Sequence, residues 1–318
     1  MPTGDAMTAV IETHDLTKYY GSTRGIEGVD LEVQQGEVFG FLGPNGAGKT
    51  TTIRLILDLI RPSSGTAQVF SLDARRDATR VHARTGYMSA ELALYDGLTG
   101  TEMLQYAANL RGGVDWRFVE GLAERLDCDL SRPIRTLSTG NKHKVGLINA
   151  LMHQPELLIL DEPTSGLDPI MQREFHRMLD EVRAEGRTVF LSSHILPEVE
   201  AVCDRVGIIR EGRLVTVLQV EALKESALND LEFHFAAEVP ADEFASLPGV
   251  REVTAEGTVV RCTVVGSVDA VVKAAARHEV IDLISHERSL EQVFLAYYTG
   301  DGDDTGAGDD TGGGDDAG

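Results

Sequence analysis

Gly43-Pro44-Asn45-Gly46-Ala47-Gly48-Lys49-Thr50 decides the reading of this chain. The stretch matches GxxxxGK[ST] in full, and its surroundings are those the pattern requires. Ahead of it, EVFGFLG (37–43) reads as a strand; behind it, TTIRLILDLI (51–60) reads as a helix ended by Pro62. Glycines let a backbone fold tightly around phosphate oxygens and aim N–H groups at them. A helix N-terminus adds partial positive charge. Lys49 then brings a full charge to the β- and γ-phosphates of a bound nucleotide, Thr50 offers a hydroxyl to Mg²⁺, and Thr51 reaches the α-phosphate. The competing explanation is a chance Gly-rich turn before a helix.

Leu157-Leu158-Ile159-Leu160-Asp161-Glu162 places two carboxylates at the end of an apolar strand. In a doubly wound sheet, ligands sit at the C-terminal ends of strands. Beside a phosphate loop, Asp161 is the Mg²⁺-side carboxylate, acting through water, and Glu162 polarises the attacking water. Alone, such an ending is as often a solvated turn; the loop gives it weight.

Outward from these two points, AVIETHDL (9–16) and GVDLEV (28–33) alternate like strands, and TAQVF (66–70) is another. Residues 100–126 read as two helices separated by Gly112 and Gly113, and Ser138 opens a helix running to about 153. Residues 170–185 are helical, TVFLSS (188–193) is a strand, ILPEVEAVC (195–203) a helix, and VGIIREGRLVTV (206–217) a hairpin turned at Glu211 and Gly212. This order predicts an α/β cassette: a mostly parallel sheet, an antiparallel β edge and a helical subdomain over about 90–150.

After about residue 225 the pattern restarts. LEFHFAAEV, ADEFASL, a hairpin turned near Gly257, SVDAVVKAAARH and EVIDLISHE follow in the order βαββαβ, and SLEQVFLAYY (289–298) reads as a final helix. That is the pattern of a small α+β, ferredoxin-like domain. The expected organisation is a cassette over 1–225, an accessory domain over 226–299 and a tail over 300–318. The tail, GDGDDTGAGDDTGGGDDAG, carries no large apolar residue to offset ordering entropy and reads as disordered.

With 318 residues and 42% hydrophobic content the chain can bury a sizeable core. Its formal net charge of -22 argues against nucleic-acid partners, whose binding leans on Lys and Arg neutralising phosphates. Only six residues are lysine, and removing the tail's seven Asp still leaves about -15. Such a surface resembles those of salt-loving organisms, which stay hydrated where screening shortens to about 3 Å at 1 M salt. Cys128, Cys203 and Cys262 lie far apart with no CxxC spacing, so neither a zinc site nor a disulfide framework is expected, and a reduced cytoplasmic setting fits. The N-terminus does not read as a signal peptide, and no run approaches the roughly 20 apolar residues of a membrane span. Any service to a membrane is expected to be peripheral.

Over residues 8–225 the chain resembles the ATP-binding cassette (ABC) family. Beyond the loop and the acidic strand, Leu137-Ser138-Thr139-Gly140-Asn141-Lys142 stands where that family carries its LSGGQ signature. Ser165-Gly166-Leu167-Asp168-Pro169 matches the D-loop, Ser192-Ser193-His194 the switch histidine, and Tyr20 the aromatic ring that stacks on adenine. The resemblance implies a head-to-tail pair of copies enclosing two ATP with Mg²⁺. Each ATP would touch the loop of one copy and Ser138, Gly140 and Asn141 of the other. His194 would contact the γ-phosphate and hold the water geometry with Glu162, and Asp168 would link the two sites.

Two departures stand out. Ala90 in Gly86-Tyr87-Met88-Ser89-Ala90-Glu91-Leu92 sits where the family has a metal-sensing Gln, so either Glu91 supplies an oxygen to Mg²⁺ or water fills the gap. Thr139 and Asn141 replace Gly and Gln in the signature. LTKYYG, the NKxKVGL run and SLEQVFLAYYTG look like the subfamily that serves type-2 exporters of drugs, antibiotics, lipids or sodium. That likeness implies an ATPase at the inner face of the cell membrane, driving a separately encoded permease. A ribosome-associated or repair-type ABC ATPase is the alternative; a single cassette, no coiled-coil insertion and no basic surplus weigh against it.

Overall fold

In a computed structural model, residues 8–221 and 228–287 are described. In chain order the first part holds β1 (Ala9–Tyr20), β2 (Thr23–Gln34), β3 (Val38–Leu42), α1 (Lys49–Ile56), β4 (Ser64–Val69), β5 (Leu72–Asp73), α2 (Ala78–Arg84) and β6 (Thr85–Met88). There follow α3 (Gly100–Leu110), α4 (Trp116–Arg125), α5 (Thr139–Leu151), β7 (Leu157–Asp161), α6 (Pro169–Ala184), β8 (Thr188–Ser193), α7 (Leu196–Val202), β9 (Arg205–Arg210) and β10 (Arg213–Gln219).

β3, β7 and β8 are buried at every position. Strands covered on both faces belong at the centre of a parallel sheet, and the strand order β10-β9-β3-β8-β7-β6 puts them there. Every pairing in this sheet is parallel except β9 with β10, the antiparallel edge. Phe39 stacks on Phe190 at 5.8 Å between ring centroids, and Phe41 meets the same ring at 5.5 Å. A second, antiparallel sheet runs β2-β1-β4-β5.

Local chemistry sets the ends of the helices. Thr99 and Glu102 form a capping box on α3, Asp115 caps α4, and the chain turns between them at Gly112 (φ 84°) and Gly113 (φ 105°). α1 stops at Ile56, short of the expected Pro62. Asp58 takes φ 53°, and Leu59 N–H closes back on the Arg54 carbonyl at 2.8 Å, with Asp58 N–H on that of Leu55 at 3.0 Å. This is a Schellman ending with Asp in the place usually held by Gly. The apolar pattern continues through it, which is why periodicity overran the helix.

The chain divides into two compact units, Met1–Ala222 and Leu223–Gly318. The second holds β11 (Leu228–Phe235), α8 (Asp242–Ala245), β12 (Val250–Glu256), β13 (Val259–Val265), α9 (Asp269–Ala275) and β14 (Val280–Glu287). Its sheet is antiparallel in the order β12-β13-β11-β14, the strand arrangement of a ferredoxin-like fold. Phe233, Phe235 and Phe244 centre its own core. The predicted final helix over 289–298 and the acidic tail lie outside the described residues. Cys128, Cys203 and Cys262 are free and buried. Among the described residues no helix is long and apolar enough to cross a membrane.

Candidate nucleotide-binding and hydrolysis site

β3 delivers the chain into the loop 43–50, and α1 leaves it. Gly48 caps α1 with φ 112°, and a Cβ there would fall 2.6 Å from Ile26 Cγ2, so the turn excludes any side chain. Lys49 is only 4% exposed. Its ammonium donates to the carbonyls of Gly43 (2.7 Å) and Pro44 (3.1 Å) and lies 3.3 Å from Glu162 Oε1. The cation is therefore held inside the loop. Tyr20 is half exposed beside α1: a Cβ on Gly25 would sit 2.9 Å from its ring and 3.3 Å from Thr51 Cγ2.

Asp161 ends β7 fully buried. The Thr50 hydroxyl donates to its Oδ2 at 2.8 Å, and the Ser192 hydroxyl donates to its Oδ1 at 2.5 Å. Buried carboxylates are tolerated when hydrogen-bonded in this way. Glu162, the next residue, has φ 51°. A non-Gly residue in the left-handed region costs about 1–3 kcal/mol and persists only when its surroundings over-determine it. Here Glu162 N–H is held by the Ser192 carbonyl (3.2 Å) and hydroxyl (3.1 Å). The turn aims the carboxylate so that Oε1 faces Lys49 and Oε2 lies 3.3 Å from His194 Nδ1. Tyr87, at the end of neighbouring β6, has its phenol pushed up by burial and by the charge of Asp161.

Other predicted residues lie at the starts of α5 and α6 and on the loop after β6. Ser138 caps α5, accepting Asn141 N–H at 3.3 Å. Gly140 packs so tightly on the loop after β7 that a Cβ would lie 2.4 Å from the Gly166 carbonyl. Asp168 caps α6, accepting the N–H groups of Ile170 (2.9 Å) and Met171 (3.0 Å), which hold its carboxyl below the usual carboxylate range. Glu91 is exposed on the loop after β6 and makes no hydrogen bond to Thr50 or Asp161.

The comparisons with known proteins agree on one family. Residues 26–165 match the family model described as ABC transporter. The chain is 40% identical over 233 residues to the bacitracin transport ATP-binding protein BcrA of Bacillus licheniformis, covering 72% of this chain and 76% of BcrA. It is 39% identical over 227 residues to the daunorubicin/doxorubicin resistance ATP-binding protein DrrA of Streptomyces peucetius, covering 69% and 68% of the two chains. A solved ATP-binding subunit of an ABC transporter superposes with a TM-score of 0.63 at 31% identity, covering 68% of this chain and 92% of that one.

The chain belongs to the ABC transporter family. It is an ATP-binding, ATP-hydrolysing subunit with the α/β cassette fold. α5 and the loop after β7 touch each other through Gly140 and Gly166, while Lys49, Glu162 and His194 form a contiguous group, joined to that loop by the Ser165 N–H on the Glu162 carbonyl at 3.3 Å. The sequence reading missed two members of that group's support. Ser192 joins Asp161 to Glu162, and Glu198 joins Thr164 to Ser193. The pair of serines before His194 was the available signal for the first; nothing local marked Glu198.

Proposed function

We propose that two copies of this chain pair head to tail around two ATP and drive a separately encoded membrane permease in an export system. Each ATP lies on the loop of one copy, under Tyr20, and is sealed by Ser138, Gly140 and Asn141 of the other, with Asp168 linking the two sites. The relatives named for bacitracin transport and for daunorubicin and doxorubicin resistance favour an antibiotic or drug cargo. The cassette would span 1–225, the accessory domain 226–299 and the acidic tail 300–318, and the assembly would sit on the inner face of the cell membrane.

The observation that carries this reading is the Glu162 carboxylate, set between Lys49 and His194 at 3.3 Å from each. Phosphate would compete for Lys49, leaving Glu162 to accept a proton from the attacking water while His194 orients the γ-phosphate. Thr50 and Asp161 suit Mg²⁺, since both present hard oxygen donors and such ions take one or two carboxylates plus substrate phosphates. Held there, Mg²⁺ would neutralise phosphate charge. Among the described residues no group of three His, Cys, Asp or Glu side chains gathers as a metal cage. Either Glu91, an oxygen donor on the loop after β6, or water takes the place of the missing glutamine.

Glu162→Gln tests the proposal. It should keep ATP binding, lose turnover and accumulate as an ATP-bound dimer in light scattering. A monomer under saturating ATP would defeat the paired-site mechanism.

A further inference from the structure

Glu198, on α7, is hydrogen-bonded to Thr164 and Ser193 and so ties together the segments that carry Glu162 and His194. The Thr164 hydroxyl donates to Glu198 Oε1 at 2.5 Å, and the Ser193 hydroxyl donates to Oε2 at 2.8 Å. Thr164 lies two residues beyond Glu162, and Ser193 immediately precedes His194. Both hydroxyl-bearing residues are buried, at 6% and 2% exposure. Ser193 Oγ also accepts Ile195 N–H at 2.9 Å, so the backbone is pinned on both sides of His194. One carboxylate thus spans the same gap that Glu162 and His194 span at 3.3 Å.

We propose that Glu198 is a positioning residue for ATP hydrolysis, setting the separation and facing of Glu162 and His194. This rests on reading Glu162 as the base and His194 as the switch. Hydrogen bonds to an ionised acceptor are shorter and roughly twice as strong as neutral ones, so a carboxylate suits a two-point brace. Catalytic geometry is demanding: a misplacement of about 1 Å can cost about 100-fold in rate. The competing role is structural, because Glu198 is also the acidic residue in the first turn of α7, where it favours the helix dipole.

The test uses the full chain with Mg²⁺ and ATP. Glu198→Ala should lower kcat by about tenfold or more while KM for ATP stays within about twofold, as for an interaction made mainly in the transition state. Glu198→Gln should restore most of kcat, because its amide oxygen accepts one hydroxyl and its NH₂ donates to the other. Thr164→Val, which removes one arm and leaves the carboxylate, should fall between. In a His194→Ala background, Glu198→Ala should cost less than about twofold more, since the brace has lost what it positions.

Wild-type kcat in Glu198→Ala overturns the proposal. So does an equal loss in both backgrounds, or a loss of kcat that tracks a lowered unfolding midpoint and is not rescued by Gln. Full turnover in Glu162→Gln would instead remove the base assignment itself, whatever Glu198→Ala does.

Discussion

Glu162 Oε2 and His194 Nδ1 face each other at 3.3 Å across the ends of two neighbouring parallel strands. The pairing of β7 with β8 brings Asp161 level with Ser192, so each strand contributes a polar residue to the same point and then turns away. What fixes the contact is the backbone of Glu162, held left-handed by Ser192.

Ser192→Ala should therefore affect both carboxylates at once. The hydroxyl that would be lost is fully buried, and it both donates to Asp161 and accepts from Glu162 N–H. Leaving buried polar groups short of a partner costs about 1–3 kcal/mol. Chemical denaturation should register a loss of that size. Turnover should drop by about tenfold or more, with ATP affinity changed far less, since the hydroxyl supports the Glu162 turn rather than the Lys49 loop. Wild-type turnover together with a lowered denaturation midpoint would reduce Ser192 to a packing role.

Lys49→Ala acts on the other side of the cluster. The ammonium is buried against two carbonyls and the Glu162 carboxylate, and it is the charge nearest to where phosphate would sit. A hydrogen bond involving a charged group is worth about 1.5–3 kcal/mol, so ATP affinity should fall by about ten- to 100-fold. Nucleotide titration by fluorescence or calorimetry gives the answer directly. An unchanged dissociation constant would remove the phosphate role from this loop.

These two variants mark where legibility in the sequence ends. The loop 43–50 was readable because every defined position is local: a buried strand, glycines that tolerate the turn, and a helix start lie within about twenty consecutive residues. The second unit's strands were readable because Leu231, Phe233 and Phe235 alternate with polar neighbours. Ser192 and Glu198 were not, because Asp161 and Thr164, the partners they reach on the neighbouring strand's end, are distant in sequence. Ser192 reaches Asp161 across 31 positions, and Thr164 reaches Glu198 across 34. Those contacts follow from strand register, which a single chain's periodicity does not carry. The overrun of α1 has a different cause: Asp58 adopts the left-handed conformation without the glycine that usually announces it.

Gly140→Ala probes the paired arrangement without touching the loop or the carboxylates. A Cβ at this position would come within 2.4 Å of the Gly166 carbonyl oxygen, closer than real Cβ contacts allow, and that atom is backbone. The start of α5 must then move away from the segment 165–168, which carries Asp168 into the cap of α6. In the proposed pair, both displaced pieces face the partner copy, whereas Lys49 at the start of α1 and Asp161 and Glu162 at the end of β7 serve the copy's own nucleotide. Hence ATP binding to the isolated chain should stay within about twofold of wild type, while turnover falls by about 100-fold, the scale expected for a misplacement of about 1 Å. In a Glu162→Gln background, light scattering under saturating ATP should show the dimer replaced by monomer. If that dimer persists undiminished and turnover of Gly140→Ala on its own is normal, α5 does not seal the nucleotide and the second face of the site must be sought elsewhere.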